Sequence, residues 1–253
     1  MQTFSLFSID LDSLTKDELA QAIERRLGQG NATVIATVNP EILLRAKKDP
    51  SFIRTLKACT FRVIDGFGIL VVAKCFFKTR LQRMTGRDVV SVLFTIARRR
   101  HWTIGLFGGT KGRAPAAISH LQSVNPGVAV IDLMKGQECL VDEQGELISG
   151  KEVLETQIER YKPQVCLVAL GAPKQERWMQ RAISNHPSIQ IAVGIGGLID
   201  VFAHAIPEPP VLLRRMGLEW LWRFWHEPKR FTRIVNAVIV FPFVSLVSLR
   251  KKS

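Results

Sequence analysis

The chain lacks several patterns that would assign it to a common class of protein. Its four cysteines form no C-x-x-C pair and have no neighbouring histidine, so neither a zinc site nor a disulfide framework is indicated. The N-terminus has no basic region followed by a long apolar stretch, so no secretory signal is predicted and the thiols are interpreted as reduced and cytosolic. The five histidines are isolated, so the sequence predicts no metal site.

A long transmembrane run is also missing. The apolar segment 234–249, IVNAVIVFPFVSLVSL, has 16 residues and contains a proline, whereas a spanning helix needs about 18 or more. Arg250, Lys251 and Lys252 follow it directly. This pattern favours a helix that lies on or dips into a membrane surface, and a buried terminal helix is the alternative.

Positive charge exceeds negative charge along the chain. Among 253 residues, 35 Lys and Arg face 22 Asp and Glu, giving +13, and the 47% of hydrophobic residues are enough for a large core. This balance favours an anionic partner, which would be a nucleic acid, an anionic membrane or a phosphorylated ligand. Basic residues are densest from residue 207 to 253, where nine Lys or Arg accompany three Glu and three of the five tryptophans.

Short apolar runs alternate with longer amphipathic ones, which is the rhythm of βα units. The sequence therefore predicts an α/β fold, with a doubly wound, mostly parallel sheet of Rossmann-like units. Strands are predicted at residues 3–9, 33–38, 61–64, 103–107, 127–132, 164–170 and 189–195. Helices are predicted at residues 15–28, 40–48, 50–58, 67–77, 87–100, 112–124, 150–161 and 174–185. The first helix opens with a capping box, Thr15-x-x-Glu18.

A domain boundary is predicted near residues 205–210, AIPEPP, where three prolines in four residues stop any helix. Residues 1–206 then form the Rossmann-like α/β domain, which we expect to be catalytic. Residues 207–253 form a basic and apolar helical appendage, which we expect to associate with a membrane.

Polar groups and glycines follow five of the predicted strands. In a parallel sheet the strands end at one edge, and ligands bind in the crevice outside those carboxyl ends. We therefore expect one shared site at this edge. Its members are Thr37, Asn39, Asp65, Gly108, Gly109, Gly171, Lys174, Gln175, Glu176, Gly196, Gly197 and Asp200.

Several of these motifs also have a purely structural interpretation. The loop GGTKG, residues 108–112, is typical of phosphate contact by backbone N–H groups, but it lacks the full phosphate-loop pattern and is equally consistent with a tight turn. Asp65 either contributes to the site or caps the start of the next helix with its side chain. Asp10 and Asp12, in DLD, are assigned to the turn before Thr15 and not to a metal site.

Arginines supply candidate anion contacts outside this group. Arg83 and Arg87 flank a Thr-Gly turn before a helix and either bind phosphate or remain solvated. Arg223, Arg230 and Arg233 are spaced by seven and three residues, which places them near one helical stripe, although a proline interrupts it. That stripe would either neutralise a diphosphate or join a basic membrane-facing surface.

Together the motifs resemble those of the WecG/TagA/CpsF bacterial glycosyltransferases, glycosyltransferase family 26, from about residue 33 to residue 233. The resemblance rests on Thr37-x-Asn39 with Glu41, Asp65-Gly66, Arg83-x-x-Gly86-x-Asp88, Gly108-Gly109, Gly171-x-Pro173-Lys174-Gln175-Glu176, Gly194-x-Gly196-Gly197-x-x-Asp200, and Gly217-Leu218-Glu219-Trp220 through Arg223, Glu227-Pro228, Arg230 and Arg233. Each motif is a modest signal, and their number and order make the match strong.

The resemblance implies an inverting, metal-independent transfer of a sugar from a UDP-sugar to a polyprenyl-diphosphate-linked saccharide, without a cofactor, by a peripheral enzyme at the cytoplasmic face of the bacterial inner membrane. Such reactions build teichoic acid linkage units, enterobacterial common antigen or exopolysaccharide. The matching positions imply that Asp65 is the general base and that Thr37, Asn39 and Gln175 hold the sugar or the acceptor. The arginines that would meet the diphosphates are Arg83, Arg223, Arg230 and Arg233. The positions assigned to the nucleotide are Gly108, Gly109, Gly171, Lys174, Gly196, Gly197 and Asp200.

The sequence disfavours two other functions. A nucleotide-dependent oxidoreductase is disfavoured because no G-x-G-x-x-G follows the first strand with an acidic residue about 20 residues later. A nucleic-acid-binding protein is disfavoured because the basic residues accompany tryptophans and an apolar tail, so no nucleic-acid partner is predicted. The segment AHAIPEPP, residues 203–210, departs from the family pattern. The transferred sugar (N-acetylmannosamine, its uronic acid or glucose), the exact acceptor and a homo-oligomeric state stay open.

Overall fold

The computed structural model describes residues 2–205, 207, 210, 213, 222 and 235–250, and within them eight strands form one sheet. The strands are β1 (Gln2–Leu6), β2 (Ile9–Ser13), β3 (Thr33–Val38), β4 (Phe61–Ile64), β5 (Ile104–Gly108), β6 (Val130–Asp132), β7 (Val165–Ala169) and β8 (Ile191–Gly194). Their order is β1-β2-β4-β3-β8-β7-β5-β6. The pair β1 and β2 is antiparallel, and the other neighbouring pairs are parallel.

Helices cover both faces of the sheet, which confirms the predicted doubly wound α/β architecture. The helices are α1 (Lys16–Gly28), α2 (Pro40–Lys48), α3 (Pro50–Ala58), α4 (Phe67–Phe77), α5 (Gly86–Arg100), α6 (Arg113–Val124), α7 (Lys151–Tyr161), α8 (Lys174–Asn185), α9 (Leu198–Phe202) and α10 (Phe241–Arg250). Buried side chains of α1, α5, α6 and α9 pack in one hydrophobic cluster, and those of α2, α3, α4, α7, α8 and α10 pack in a second.

The direction in which the chain adds strands to the sheet reverses between β7 and β5, the sixth and seventh strands in the sheet order. Strand β5 continues into α6 on one face, whereas the neighbouring strand β7 continues into α8 on the other. Such a reversal opens a crevice outside the carboxyl ends of the strands, where α/β proteins bind ligands. Strands β8, β3 and β4 follow β7 in the sheet, so their carboxyl ends extend the same edge.

Two capping boxes fix the starts of α1 and α5. At α1, the Glu18 N–H donates to Thr15 Oγ1 over 3.2 Å, and the Thr15 N–H donates to Glu18 Oε2 over 2.8 Å. At α5, Thr85 and Asp88 exchange the same pair of hydrogen bonds. Each box satisfies N–H groups that a helix start leaves without an intrahelical partner. The predicted cap at the first helix is therefore confirmed.

The structure corrects the N-terminal strand. The prediction of a single strand at residues 3–9 is wrong, because β1 and β2 meet there in a two-residue turn at Phe7 and Ser8. Both turn residues have positive φ, 50° and 62°, a conformation that Gly and Asn usually supply in hairpins, so no turn signal marked them. The assignment of Asp10 and Asp12 to a turn is wrong for the same reason, since both lie in β2.

Residues 235–250 form the end of the described chain. They begin with a π-helical turn, Asn236–Val240, continue as α10, and pack against α2 and α4. No helix in the described ranges is long and apolar enough to cross a bilayer. The predicted boundary residue 206 and most of the predicted appendage lie outside the described residues.

Candidate active site

Asn39 and Asp65 lie side by side at the ends of two paired strands. Val38 and Ile64, the last residues of β3 and β4, are partners in the parallel register. Asn39 and Asp65 follow them directly, and the Asp65 N–H donates to Val38 O over 2.8 Å. The two side chains therefore start from adjacent points of the sheet edge.

Gly66 brings the loop after Asp65 into contact with α2. A Cβ at residue 66 would overlap Pro40 Cδ and would lie 3.1 Å from Asn39 Cα. A larger residue at position 66 would therefore push Asp65 and Asn39 apart. Gly66, and not Asp65, is the N-cap residue of α4.

Arg83 is held against the backbone of Asp65. Its Nε donates to Asp65 O over 2.9 Å. The Met84 N–H donates to Ile64 O over 2.8 Å, so this segment runs along the end of β4. A guanidinium cation therefore lies beside the strand end that carries Asp65, where it favours the binding of anions. We call Asn39, Asp65 and Arg83 the Asp65 cluster.

The side chains of Asn39 and Thr37 are tied to the scaffold. Asn39 caps α2, because its Oδ1 accepts a hydrogen bond from the Ile42 N–H over 3.0 Å. Thr37 is buried in β3 and donates from Oγ1 to Gly194 O over 2.8 Å, which joins β3 to the end of β8. These hydrogen bonds fix both side chains before any ligand arrives.

Gln175 reaches the same edge from α8. It is only 3% exposed and lies over Gly194, where a Cβ would be 2.5 Å from Gln175 Nε2. Its Oε1 accepts from the Gly171 N–H over 3.2 Å, and its Nε2 donates to Glu176 Oε1 over 2.8 Å. Thr37 and Gln175 therefore meet at Gly194, between β3 and β7.

Glu176 lies behind Gln175 and is fully buried. Burial raises the pKa of its carboxyl from 4.5 to about 7, against the opposing effects of the Gln175 hydrogen bond and of nearby Arg45 and Arg177. Its Oε2 has no hydrogen-bond partner in the described part of the chain. Glu176 thus supports Gln175 from the interior and does not line the surface of the edge.

Lys174 is bound to the segment between β6 and α7. Its Nζ donates to Val141 O over 2.7 Å and lies 3.9 Å from Glu143 Oε1. Arg45 Nη2 contacts Glu143 Oε2 over 2.5 Å, and Arg177 donates to Glu143 O. Sequence patterns assigned no element to this segment. The three basic side chains place it beside the start of α8, next to Gln175.

The positions assigned to the nucleotide lie at the ends of β5, β7 and β8. Gly108 has a φ of 95°, and a Cβ there would lie 2.8 Å from Ala169 O, so only glycine lets β5 end this close to β7. The Gly109 N–H donates to the same carbonyl over 3.0 Å. Asp200, in α9, lies 3.3 Å from Arg113 Nε. The other assigned glycines at this edge are Gly171, Gly196 and Gly197.

The described site residues thus share one edge of the sheet. From β4 to β5 this edge covers four strand spacings, about 19 Å. The Asp65 cluster lies at one end and the Gly108-Gly109 loop at the other. Thr37 and Gln175 lie between them, beside the glycines that follow β7 and β8. Three predicted diphosphate contacts, Arg223, Arg230 and Arg233, lie outside the described residues.

Comparison with known proteins gives a match over nearly the whole chain. Residues 4–253 match the model of the glycosyl transferase WecG/TagA/CpsF family. The chain is similar to the N-acetylglucosaminyldiphosphoundecaprenol N-acetyl-beta-D-mannosaminyltransferase of Bacillus subtilis (strain 168), with 27% identity over 237 residues that cover 93% of this chain and 88% of the relative. A relative of the same name from Staphylococcus aureus (strain MRSA252) is 25% identical over 248 residues, which cover 97% of this chain and 93% of the relative.

Proposed function

Because the chain belongs to the WecG/TagA/CpsF glycosyltransferase family, and is therefore a glycosyltransferase, we propose that it moves a sugar from a UDP-sugar to a polyprenyl-diphosphate-linked saccharide in bacterial cell-surface polysaccharide synthesis. The observation that carries the proposal is the Asp65 cluster, in which residues that bear a carboxyl, an amide and a guanidinium group lie at two adjacent strand ends. The names of the two relatives specify N-acetyl-beta-D-mannosamine as the transferred sugar and N-acetylglucosaminyldiphosphoundecaprenol as the acceptor. We infer the same sugar and acceptor class for this chain.

Asp65 is the general base in this proposal. Its carboxylate takes the proton of an acceptor hydroxyl while that oxygen bonds to the anomeric carbon, and the bond from this carbon to the diphosphate breaks with its electron pair leaving on UDP. The relatives' names specify a β-linked product, which an α-linked UDP-sugar yields by inversion. Hydrogen bonds at the Asp65 N–H and carbonyl support the assignment, because they fix the point from which the carboxyl projects.

The other side chains position substrates in this proposal. Thr37, Asn39 and Gln175 contact the sugar or the acceptor, and their scaffold hydrogen bonds support this role because a fixed group loses little freedom on binding. The glycine-rich loops after β5, β7 and β8 take the UDP, since glycines without side chains let a ligand approach the backbone closely there. Lys174 and Asp200 act from the same edge of the sheet.

Arginine cations, and not a metal ion, balance the charge of the leaving diphosphate in this proposal. Arg83 supports it, because its guanidinium group lies at the strand end that carries the base. The family resemblance adds Arg223, Arg230 and Arg233. Fixed cations of this kind stabilise negative charge that develops in the transition state.

We place the reaction at the cytoplasmic face of the membrane, with residues 207–253 binding the enzyme peripherally. A polyprenyl chain lies in the bilayer, so the diphosphate that it carries is at the surface. The apolar side chains exposed on residues 235–250 and the basic residues at 250–252 support contact with an anionic lipid surface.

The Asp65→Asn variant tests the proposed base. We expect transfer from UDP-N-acetylmannosamine to an N-acetylglucosaminyl-diphosphate lipid to fall by about a hundredfold or more, because the amide does not accept the acceptor proton. The affinity for UDP, measured by calorimetry, should stay within about twofold of wild type, since the nucleotide lies at the other end of the edge.

The matched control is Asp17→Asn, which makes the same change at an exposed position of α1. This control should transfer sugar like the wild type. Unchanged transfer by Asp65→Asn would remove Asp65 from the role of base, and loss of UDP binding with transfer would reassign it to the donor.

A further inference from the structure

Exposed apolar side chains are concentrated on one side of the molecule. Among the described residues, ten large apolar side chains are exposed, and six of them lie on α4 and on the segment 235–250. Apolar side chains exposed on neighbouring elements mark an interaction surface. The six side chains are Phe67, Val71, Phe76, Ile239, Phe243 and Val247.

The segment 235–250 lies between α2 and α4. Its fully buried Phe241 is anchored in the hydrophobic cluster that these helices share. At one end of the segment, Lys47 Nζ of α2 donates to Ser248 Oγ over 2.9 Å. At the other, a Cβ on Gly68 would lie 3.2 Å from Ala237 O, so the segment reaches the first turn of α4. The segment and α4 therefore form one continuous surface.

The exposed rows of α4 and of the terminal segment both face away from the sheet. Helix α4 buries Ile69 and Val72 and exposes Phe67 and Val71, each at 39%, on its opposite side. The terminal segment buries Phe241 and exposes a row at every fourth residue on the other side. That row is Ile239, Phe243 and Val247.

Lysines border this apolar surface. Lys74 follows Val71 by three residues on α4, and Lys78 is the residue directly after α4. Lys47 and Lys48 end α2, and all four lysines are exposed. Across α2, α4 and residues 235–250 there is a single acidic residue, Glu41. An apolar face with a lysine border is complementary to an anionic bilayer, where acyl chains lie beneath negative headgroups.

We propose that α4 and the segment 235–250 form one bilayer-docking surface, and that Phe67 and Val71 of the α/β domain itself enter the lipid interface. This inference rests on the proposed function and adds that the α/β domain, and not the appendage alone, binds the membrane. Phe67 follows Asp65 by two residues, so docking through α4 brings the Asp65 cluster to the level of the headgroups. The diphosphate of a polyprenyl acceptor lies at that level.

Vesicle sedimentation tests the role of α4 in the full-length chain. The Phe67→Gln/Val71→Gln double variant should bind vesicles of phosphatidylglycerol and phosphatidylethanolamine about tenfold or more weakly than wild type, because two apolar side chains no longer leave water. The matched control is Val124→Gln/Ile148→Gln, which replaces side chains that are 56% and 68% exposed elsewhere. The control should bind like wild type. Equal binding by the α4 variant would overturn the proposal.

A second variant tests the lysine border without changing the apolar face. Lys74→Gln/Lys78→Gln should weaken binding to the anionic vesicles by about tenfold and leave binding to phosphatidylcholine vesicles unchanged. If the first variant does not fold, as judged by circular dichroism, this variant decides the question. Unchanged binding to anionic vesicles would overturn the proposal. A second result would also overturn the proposal. If the wild type is a dimer in solution, and Phe67→Gln/Val71→Gln dissociates the dimer but still binds vesicles, then a second copy of the chain and not a bilayer occupies this face.

Two acceptors separate this inference from the proposed function. One carries N-acetylglucosaminyl diphosphate on a short, water-soluble alkyl chain, and the other carries it on undecaprenol in vesicles. The Phe67→Gln/Val71→Gln variant should lose transfer from UDP-N-acetylmannosamine only with the vesicle acceptor. If the wild type transfers to neither acceptor, the proposed function fails, whereas the vesicle-binding comparison still decides whether α4 docks.

Discussion

Among single residues, Glu176 carries an ionisable group where water does not reach. The pKa of this carboxyl is about 7 in the folded chain, above its ordinary value of 4.5, because burial disfavours the charged form. The folded chain therefore binds this proton more tightly than the unfolded chain does. The stability that the protonated group contributes is complete below about pH 4.5 and is lost as the pH rises to about 7. The difference between the two pKa values corresponds to about 3 kcal/mol in the free energy of unfolding.

The Glu176→Gln variant should remove this pH dependence. A glutamine accepts the Gln175 hydrogen bond at any pH. Burying its amide nitrogen lowers the free energy of unfolding by an amount that does not change with pH. We expect the free energy of unfolding of the variant, relative to wild type, to rise by up to about 3 kcal/mol between pH 5 and pH 8. Urea unfolding at a series of pH values measures this difference.

The control for this measurement is Glu159→Gln, an exposed position on α7, which should follow the wild-type curve. Parallel curves for Glu176→Gln and wild type would show that the buried carboxyl does not titrate in this range. The variant also separates charge from hydrogen bonding, because it keeps an acceptor for Gln175 and removes the charge.

The sequence located the polar residues of the edge better than it assigned their contacts. Asp65 and Gln175 could be placed there because each follows an apolar strand. Their partners depend on packing that no local pattern encodes. Asn39 is the N-cap residue of its helix, Asp65 precedes the N-cap residue of α4, and Glu176 turns inward although it follows Gln175 directly. The need for glycine at position 66 likewise depends on tertiary packing, because Pro40, which a Cβ at Gly66 would overlap, follows a different strand.

At the scale of helices and strands, the predictions were strongest where a cap or a proline marks a boundary. Helix α1 begins after its capping box, and α2 and α3 each begin with a proline, which suits the first helical position. The N-terminal hairpin was missed because its turn residues, Phe7 and Ser8, are not those that a two-residue turn normally requires. The apolar residues of β1 and β2 do alternate, with a change of phase at the turn, and that change is the signal that could have revealed the hairpin.

Helix α10 offers two phenylalanines, two residues apart, with opposite environments. Phe241 is fully buried, whereas Phe243 is 66% exposed. We expect Phe241→Ala to release the segment 235–250 from α2 and α4, because removing a buried ring costs about 3–5 kcal/mol. Hydrogen exchange of the backbone amides in this segment should then become faster, while exchange in the sheet should stay as in wild type.

Phe243→Ala is the matched control. It should leave amide protection in α10 unchanged and should weaken vesicle binding, because its ring faces outward. Fast exchange in Phe243→Ala, or full protection in Phe241→Ala, would show that Phe241 does not anchor this helix. The pair thus separates the contact that docks the helix on the protein from the contact proposed to dock it on lipid.

At the scale of the whole molecule, the site depends on strands that are distant in the chain. The hydrogen bond from Thr37 to Gly194 joins residues 157 positions apart, and β8 lies next to β3 in the sheet. The alternation of strands and helices predicts that a parallel sheet forms, but the order of its strands follows from which helix faces pack together. The sequence therefore predicted a shared edge, and the structure supplied the order of groups along it.

The distribution of positive charge leads to a last prediction, which concerns the appendage. We expect the Arg223→Gln/Arg230→Gln/Arg233→Gln triple variant to lose transfer to the short, water-soluble acceptor as well as to the vesicle acceptor, by about a hundredfold. The family resemblance assigns these arginines to the diphosphates, and removing donors that stabilise a leaving group lowers the rate of the chemical step. The α4 variant should lose transfer only on vesicles.

The matched control removes three positive charges from the last turn of α5. The variant Arg98→Gln/Arg99→Gln/Arg100→Gln changes the net charge by the same amount at exposed positions, two of which pair with Glu24. This control should keep full transfer to the water-soluble acceptor. The proposed role of Arg223, Arg230 and Arg233 is direct contact with the diphosphates, and not general electrostatic attraction of the substrates. If both triple variants lose transfer equally, the appendage arginines contribute only through the net charge of the protein. A selective loss in the first would assign them to the reaction.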